Sequence, residues 1–409
     1  MKKYNKFLSC ILVILLLMAQ VFCYSPMVSA ETTNKIVTKN EKLEKTILKG
    51  WKNRQSSIDI KSLNISINVL NEKYPHILLN NPEYFYVGTE YKYKYKNNKV
   101  TEILPKYNTK DKLKIDSMRQ KINKAANTIL KGITKDMSTY DRCLYIHDML
   151  AQHTSYKNMN LNESFNMYGP LVKRFGVCQG YACAYNYLLK KAGVTSIAVL
   201  SRNMDHAWNK VKIGSNFYHV DVTHDDEIYN TKLNIEQVSH KHFLLSDKEV
   251  ERIGHYDWYS YGGDKAPKKY SKNAVHMKAK NGVYQVKGYY YYIDKNNNFV
   301  KQNKKQKITT IYKIGKEKIV KGTKTSYVVS NLSKLIYYKG SFYFNDCNKV
   351  YKYTMGKKAK CKIIKTISRE TITKQAFIVD ISIKQNGKLY YGVRNYITNK
   401  YSQGLLKKA

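Results

Sequence analysis

Cys178 sits in the stretch FGVCQGYACAYNYLLKKAG, residues 175–193, preceded by Gly176-Val177 and followed by Gln179-Gly180. Tyr181, Ala184, Tyr185, Leu188, Leu189 and Ala192 trace one apolar face, and Gly193 supplies a stop. The spacing therefore predicts a helix beginning at Cys178. A thiol in a first helical turn faces unpaired backbone N–H groups and the positive end of the helix dipole, and both favour the thiolate. Cysteines on helices are more often packing residues, and Cys183 takes that reading.

A thiol nucleophile needs a base, and MDHAWNKVKIGSNFYHVDVTHDD, residues 204–226, offers one. Two alternating runs flank Gly214-Ser215, a good two-residue hairpin turn with Gly first. With that turn Ile213 pairs with Asn216, and paired positions always sum to 429. Trp208 then lies opposite Asp221 and His206 opposite Thr223, so His206 and Asp221 are diagonal neighbours on one face, ~7–8 Å apart. That register predicts that Asp221 orients His206. His219 lies on the same face and is the main competitor for the base. Nucleophile, base and orienter follow in the order Cys178, His206, Asp221, provided the helix packs its first turn against the hairpin.

Other polar residues carry weaker signals. Tyr168, in NMYGPLV, could support an oxyanion with its hydroxyl; more often such a Tyr packs at a turn. His147 and His153 read as helix-surface or partly buried residues. Asp225 and Asp226 read as a solvated acidic turn. With Asp221 and Glu227 they suggest calcium, but the EF-hand spacing is absent. No metal and no cofactor is expected.

Three blocks, GVCQGYA, DHAWNKV and FYHVDVT, resemble the signature blocks of the transglutaminase-like superfamily, whose fold is papain-like. The flanks YDRCLYIHDML and HFLLSDKEVE resemble those of exported bacterial members, over about residues 136–258, and NPEYFYV resembles their N-terminal region. The resemblance implies Cys178 as the acyl-accepting nucleophile, His206 as base and Asp221 as its orienter. His224 departs from the pattern, because many relatives carry Trp there. It lies beyond the triad and so bears on the shape of the substrate cleft.

These residues need elements to hold them. Lys2, Lys3 and Lys6, an apolar run from Phe7 to Cys23 and Val28-Ser29-Ala30 read as an export signal over residues 1–30, cleaved before Glu31. Residues 31–110 form an N-terminal module: a helical lead-in with Leu43, Ile47, Leu48 and Trp51 at helical spacing, then a hairpin of alternating Tyr91, Tyr93 and Tyr95 turning at Asn97-Asn98. Amphipathic helices follow over 110–131 and from Ser138 to about His153. The transglutaminase-like domain occupies residues 111–265. From 270 to 409 three Tyr- and Lys-rich segments repeat around Gly288, Gly340 and Gly387. A period near 50 suits antiparallel units of blade type, too few here to close a propeller. The fold class is α+β: a helix carrying Cys178 packed on an antiparallel sheet carrying His206 and Asp221, followed by an all-β repeat region.

The formal charge is +42, and removing the three leader lysines leaves +39. The lysines spread along the whole chain and no DNA-reading motif appears, so no nucleic-acid partner is expected. On an exported protein such charge fits an anionic surface, such as cell-wall polymers. Secretion without a transmembrane anchor is expected once the signal is cleaved. Of seven cysteines, five lie outside the leader, and Cys347 with Cys361 is the only locally suggestive disulfide pair. The expected function is an exported thiol enzyme acting on peptides or carboxamides, by transamidation or by cysteine-protease-like hydrolysis. The alternative is a non-catalytic surface-binding protein on the same scaffold.

Overall fold

The computed structural model describes residues 30–230, 235–262, 265–314, 318–322, 325–328, 333–356, 359–368, 376–384, 386–395 and 397–406. Residues 1–29 of the expected leader lie outside this set. No helix among the described residues is long and apolar enough to cross a membrane. The chain divides into two compact units, residues 1–70 with 92–105 and residues 71–91 with 106–409.

In the first unit, helix α1 (Ala30–Lys52) buries Leu43, Ile47 and Trp51. Short strands pair Ile58 with Ile103 and Ile65 with Val100, and all four side chains are buried. Strands β1 (Val87–Lys96) and β2 (Lys99–Tyr107), of which residues 92–105 belong to this unit, turn at Asn97-Asn98. Both asparagines have positive φ, 49° and 57°, as a type I′ turn demands.

In the second unit, helix α2 (Lys112–Leu130) starts at Asp111, whose carboxylate accepts from the Leu113 and Lys114 N–H groups. Helix α3 (Thr139–His153) starts with a reciprocal cap, Ser138 and Asp141 each bonding the other's backbone. Helix α4 (Cys178–Lys191) is buried on most sides. The Tyr185 hydroxyl donates to the Cys143 carbonyl of α3 at 3.0 Å, and the Asn209 amide donates to the Ala182 carbonyl at 3.2 Å. Asn209 belongs to β4 in a five-stranded antiparallel sheet: β3 (Ser196–Ser201), β4 (His206–Ile213), β5 (Asn216–Val220), β6 (Phe243–Leu245) and β7 (Trp258–Tyr259), in the order β6-β5-β4-β3-β7. The β4–β5 register runs from Ile213 opposite Asn216 to Asn209 opposite Val220, every pair summing to 429 as expected.

The repeats are antiparallel meanders. The first joins β8 (Tyr284–Val286), β9 (Tyr289–Ile293), β10 (Asn298–Asn303) and β11 (Ile308–Lys313). The second joins β12 (Leu335–Tyr338), β13 (Ser341–Asn345), β14 (Lys349–Thr354) and β15 (Lys360–Thr366). The third joins β16 (Ala376–Ile383), β17 (Leu389–Asn395) and β18 (Tyr401–Leu405). Gly288, Gly340 and Gly387 each sit in the first turn of a meander, at φ 76°, 79° and 69°. Alternation along β13 sends Phe342 and Phe344 into the core shared with the first sheet and Tyr343 into the core shared with the third. The middle sheet is thus covered on both faces.

Cys347 and Cys361 are not a disulfide; all five cysteines outside the leader are thiols. Cys347 lies in the β13–β14 turn, whereas Cys361 pairs opposite Tyr353 near the far end of β14. At ~3.3 Å per strand residue the two stand roughly 20 Å apart, far beyond disulfide reach.

Candidate active site

The approach to Cys178 is narrow. Ser155-Tyr156 and Phe175-Gly176 form a short parallel pair, and the Val177 N–H then donates to the Ser164 carbonyl at 3.0 Å. A Cβ at Gly176 would lie 2.8 Å from Pro170 Cγ, and one at Gly180 would lie 2.5 Å from the Ser164 carbonyl oxygen. Glycine at both positions lets the 164–170 segment press against the start of α4. Cys178 is the first residue of α4, and Val177 offers no side-chain cap. The first-turn N–H groups have no carbonyl partner within the helix and face the region of the thiol. Cys178 is half-buried, and its thiol donates to the Asp205 carbonyl at 3.9 Å.

His206 opens β4 opposite Ser201. Its Nε2 donates to Asp221 Oδ2 at 2.7 Å, and Cys178 lies close enough to interact with the same ring. The sequence-expected trio is therefore brought together. Burial would lower the imidazole's pKa, but the Asp221 carboxylate and Cys178 outweigh burial and raise it to about 10. Asp221 follows β5 and caps the helical turn Val222–Asp225, its Oδ1 accepting from the Thr223 and His224 N–H groups. Its Oδ2 accepts from three imidazoles: His206 Nε2, His224 Nδ1 at 2.6 Å and His255 Nε2 at 2.9 Å. Burial would raise this carboxyl, yet the three ring bonds hold it well below the usual carboxylate range.

His219, the competitor, is engaged elsewhere. Its Nδ1 accepts from Trp208 Nε1 at 2.9 Å, and its Nε2 donates to Asp247 Oδ1 at 2.9 Å. Burial takes its pKa down to about 4. A neutral ring with both nitrogens occupied has no lone pair left for a thiol proton.

Three expectations need correction. Asp225 is not solvated: it is fully buried, because the turn after Asp221 carries it inward to accept from His147 Nε2 at 3.1 Å and His242 Nδ1 at 3.2 Å. His147 is not a surface residue either; its Nδ1 also donates to Asp148 at 2.8 Å. Burial would lower His147, but the two carboxylates raise it to about 9. His224 does not lie beyond the triad: it bonds Asp221 and stands edge-on to His206, ring centroids 4.7 Å apart. His153 is partly buried as expected, donating to the Leu171 carbonyl at 2.9 Å.

Tyr168 is buried just before the short helix Gly169–Lys173, its N–H donating to Asn166 Oδ1 at 2.9 Å. Tyr156 went unnoticed in the sequence. Burial raises its phenol, and so does the nearby charge of Cys178, Asp205 and Asp221. Its hydroxyl thus lies near the thiol, which nothing in HTSYKN signals. Beside the first turn of α4, Gln179 and Cys183 line a small pocket with Leu78, Tyr84, Phe85 and Asn166. Burial pushes the Cys183 thiol up to about 12, in keeping with a packing role.

Residues 125–222 match the family model of the transglutaminase-like superfamily. No curated protein matches the chain. Among solved structures, a TGase aligns at 15% identity with a TM-score of 0.24, over 33% of this chain and 44% of its own length. A Cytophaga hutchinsonii protein described as a candidate cysteine protease aligns at 14% identity with a TM-score of 0.24, over 46% of this chain and 80% of its own. The chain spans less than half the length of the first of these. Residues 125–222 contain Cys178, His206 and Asp221, so the segment that matches the transglutaminase-like superfamily model holds all three.

Proposed function

We propose that the chain is an exported thiol enzyme that takes acyl groups from peptide or carboxamide substrates onto Cys178. The observation that carries this reading is the position of one imidazole, His206, with Cys178 on one side and Asp221 on the other. The thiolate attacks the carbonyl carbon, and the oxyanion meets the first-turn N–H groups of α4. When the C–N bond breaks, His206 gives its proton to the departing amine and a thioester remains. His206 then accepts a proton from water or from a second amine as that nucleophile attacks and the C–S bond breaks. Water gives hydrolysis; an amine gives transamidation. Asp221 fixes the ring orientation and stabilises the imidazolium. Tyr168 is retained as a candidate oxyanion support, with Tyr156 as a second candidate.

The reading assigns the catalytic domain to residues 111–265 and a surface-attachment role, at the cell wall, to the Lys- and Tyr-rich meanders of 270–409. The test is alkylation by iodoacetamide at mildly acidic pH, followed by peptide mass spectrometry. Cys143, Cys183 and Cys347 are buried, and burial raises the Cys361 thiol to about 11, so four internal controls exist. Cys178 should be labelled first, and His206→Ala should slow it to the rate of Cys361. Labelling of Cys178 no faster than Cys361 in the unmodified chain would overturn the reading. A glutamine peptide offered with a fluorescent primary amine then separates transamidation from hydrolysis by product mass.

A further inference from the structure

We propose that His206, Asp221, His224 and His255 form a binding site for a divalent transition-metal ion, with Zn²⁺ the best fit, and that the bound ion holds the triad inactive. The triad chemistry needs one imidazole on its carboxylate, and Asp221 Oδ2 carries three, at 2.7, 2.6 and 2.9 Å. The four potential ligand atoms all lie within 4.8 Å of one another. Tetrahedral zinc, with bonds of ~2.0–2.1 Å, needs ligand atoms roughly 3.3 Å apart. An ion would therefore ease the three nitrogens off Asp221 Oδ2 by a few tenths of an ångström and draw the wider pairs together.

Ring orientation supports the same assignment. The His206 and His224 planes meet at 87°, His206 and His255 at 68°, His224 and His255 at 61°, with centroids 4.7, 5.6 and 4.9 Å apart. Rings so inclined do not stack; each turns one edge nitrogen toward a common point. Three imidazoles and one carboxylate suit Zn²⁺, Co²⁺ or Cu²⁺ rather than Ca²⁺ or Mg²⁺. His224 is 44% exposed and offers the way in, while the other three side chains are at most 9% exposed. His255 Nδ1 is buried with no hydrogen-bond partner among the described residues, so no bond there fixes that ring in the tautomer that opposes ligation.

The consequence for chemistry follows from proton accounting. The ion displaces the Nε2 proton of His206, which leaves to solvent, while His224 and His255 shift theirs to the opposite ring nitrogen. His206 then keeps one proton, on Nδ1, and has no lone pair for the thiol proton. A metal-bound neutral imidazole is also a far weaker acid than imidazolium, so the leaving amine goes unprotonated. Metal binding stands on the geometry alone; the inhibition rests on the thiol-enzyme reading above.

The binding test uses the full chain carrying Cys178→Ala, where the thiol beside the site cannot ligate and activity plays no part. Co²⁺ titration should give the visible absorption of a tetrahedral ion at one equivalent, bleached by Zn²⁺. Adding His224→Ala, an exposed change that spares the fold, should weaken binding by at least ~10-fold, as should His255→Ala. Absence of a tetrahedral band, or a band indifferent to His224→Ala, overturns the site. The second test is the rate of the unmodified chain with Zn²⁺ and after chelation. Zinc should abolish turnover reversibly, and His224→Ala should shift the inhibitory concentration upward by at least ~10-fold relative to its own metal-free rate. Binding without inhibition overturns the regulatory half. A chelated chain that never turns over, yet still binds Co²⁺, overturns the enzyme reading and leaves the site standing.

Discussion

The domain around Cys178 and the meanders beyond residue 280 solve the problem of burying polar groups in opposite ways. Around α4 the interior holds ionisable groups in matched sets: Asp148 with His147 and His240, Asp225 with His147 and His242, Asp221 with His206, His224 and His255. The meanders instead bury aromatic rings whose hydroxyls reach neutral or nearby acceptors. Tyr291 stacks on Phe342 at 4.5 Å and Phe344 on Tyr351 at 4.9 Å, while Tyr292 donates to Gln302 and Tyr284 to the Leu335 carbonyl. A packed aromatic core is stable over a wide range of conditions but does no chemistry. A core of buried imidazoles and carboxylates is tied to a proton count, which is what makes it useful.

The largest effects fall on turnover. Cys178→Ala should abolish it, and His206→Ala should lower kcat/KM by at least ~10³-fold, measured as peptide hydrolysis or amine incorporation. Asp221→Asn should cost less than His206→Ala, because an amide still orients the ring but stabilises imidazolium less. The double variant Cys178→Ala with His206→Ala should be no worse than Cys178→Ala alone. Phe342→Ala, in the meanders, should leave the active-site chemistry per folded molecule untouched.

Stability variants of equal size should then part company. Asp225→Ala strands the buried His147 and the partly buried His242 and should cost ~3–5 kcal/mol. Phe342→Ala leaves a cavity and should also cost ~3–5 kcal/mol. Denaturant titrations at several pH values separate them: the Asp225→Ala loss should shrink as the pH rises through about 9 and His147 neutralises, whereas the Phe342→Ala loss should stay flat. Parallel profiles would refute the contrast between the two interiors.

Raising the pH from about 7 to about 10 should loosen the domain around α4 alone. His147 and His206 are raised above the usual imidazole value, so their contribution is complete below about 6.5 and is lost as pH climbs through about 9 and about 10. Burial pushes the Tyr291 and Tyr292 phenols up to about 12, so they stay neutral across that window. Hydrogen exchange resolved by peptide should speed up around residues 139–153 and 206–225 and not around 289–303. Uniform loosening would count against the assignment.

Smaller effects test the border and the repeats. The Val283 N–H donates to Asp148 Oδ2 at 2.6 Å and the Tyr290 hydroxyl to Asp141 at 2.6 Å. A chain ending at residue 270 should keep Cys178 reactive but unfold more easily, losing ~1–3 kcal/mol for the exposed carboxylate partners. An insoluble product would place the meanders inside the catalytic domain. Gly288→Ala and Gly340→Ala should each cost ~1–2 kcal/mol, since both turns hold φ near 80°.

The β4–β5 hairpin was legible because a two-residue turn and strict alternation leave one register, and that register alone brings His206 to Asp221. The start of α4 and its stop at Gly193 were legible for the same local reason. The convergence of His224 and His255 on Asp221 was not. It depends on how the chain turns after β5 and on a residue 34 positions downstream, and neither leaves a period in the sequence. Asp225 was misread because two adjacent aspartates look like a solvated turn until the imidazoles that meet one of them are placed. Cys347 and Cys361 looked pairable only while the strand between them was ignored.

The three hydrogen bonds to Asp221 Oδ2 also have a spectroscopic face. Each of these ring N–H protons lies in a short bond to an anion, which strips it of shielding and moves its proton resonance far downfield of the amides. His206 and His255 are shut away from water, so their lines should persist, while the line of the open His224 should broaden by exchange. One carboxylate thus writes a fingerprint of two sharp resonances and one faded one, readable without substrate.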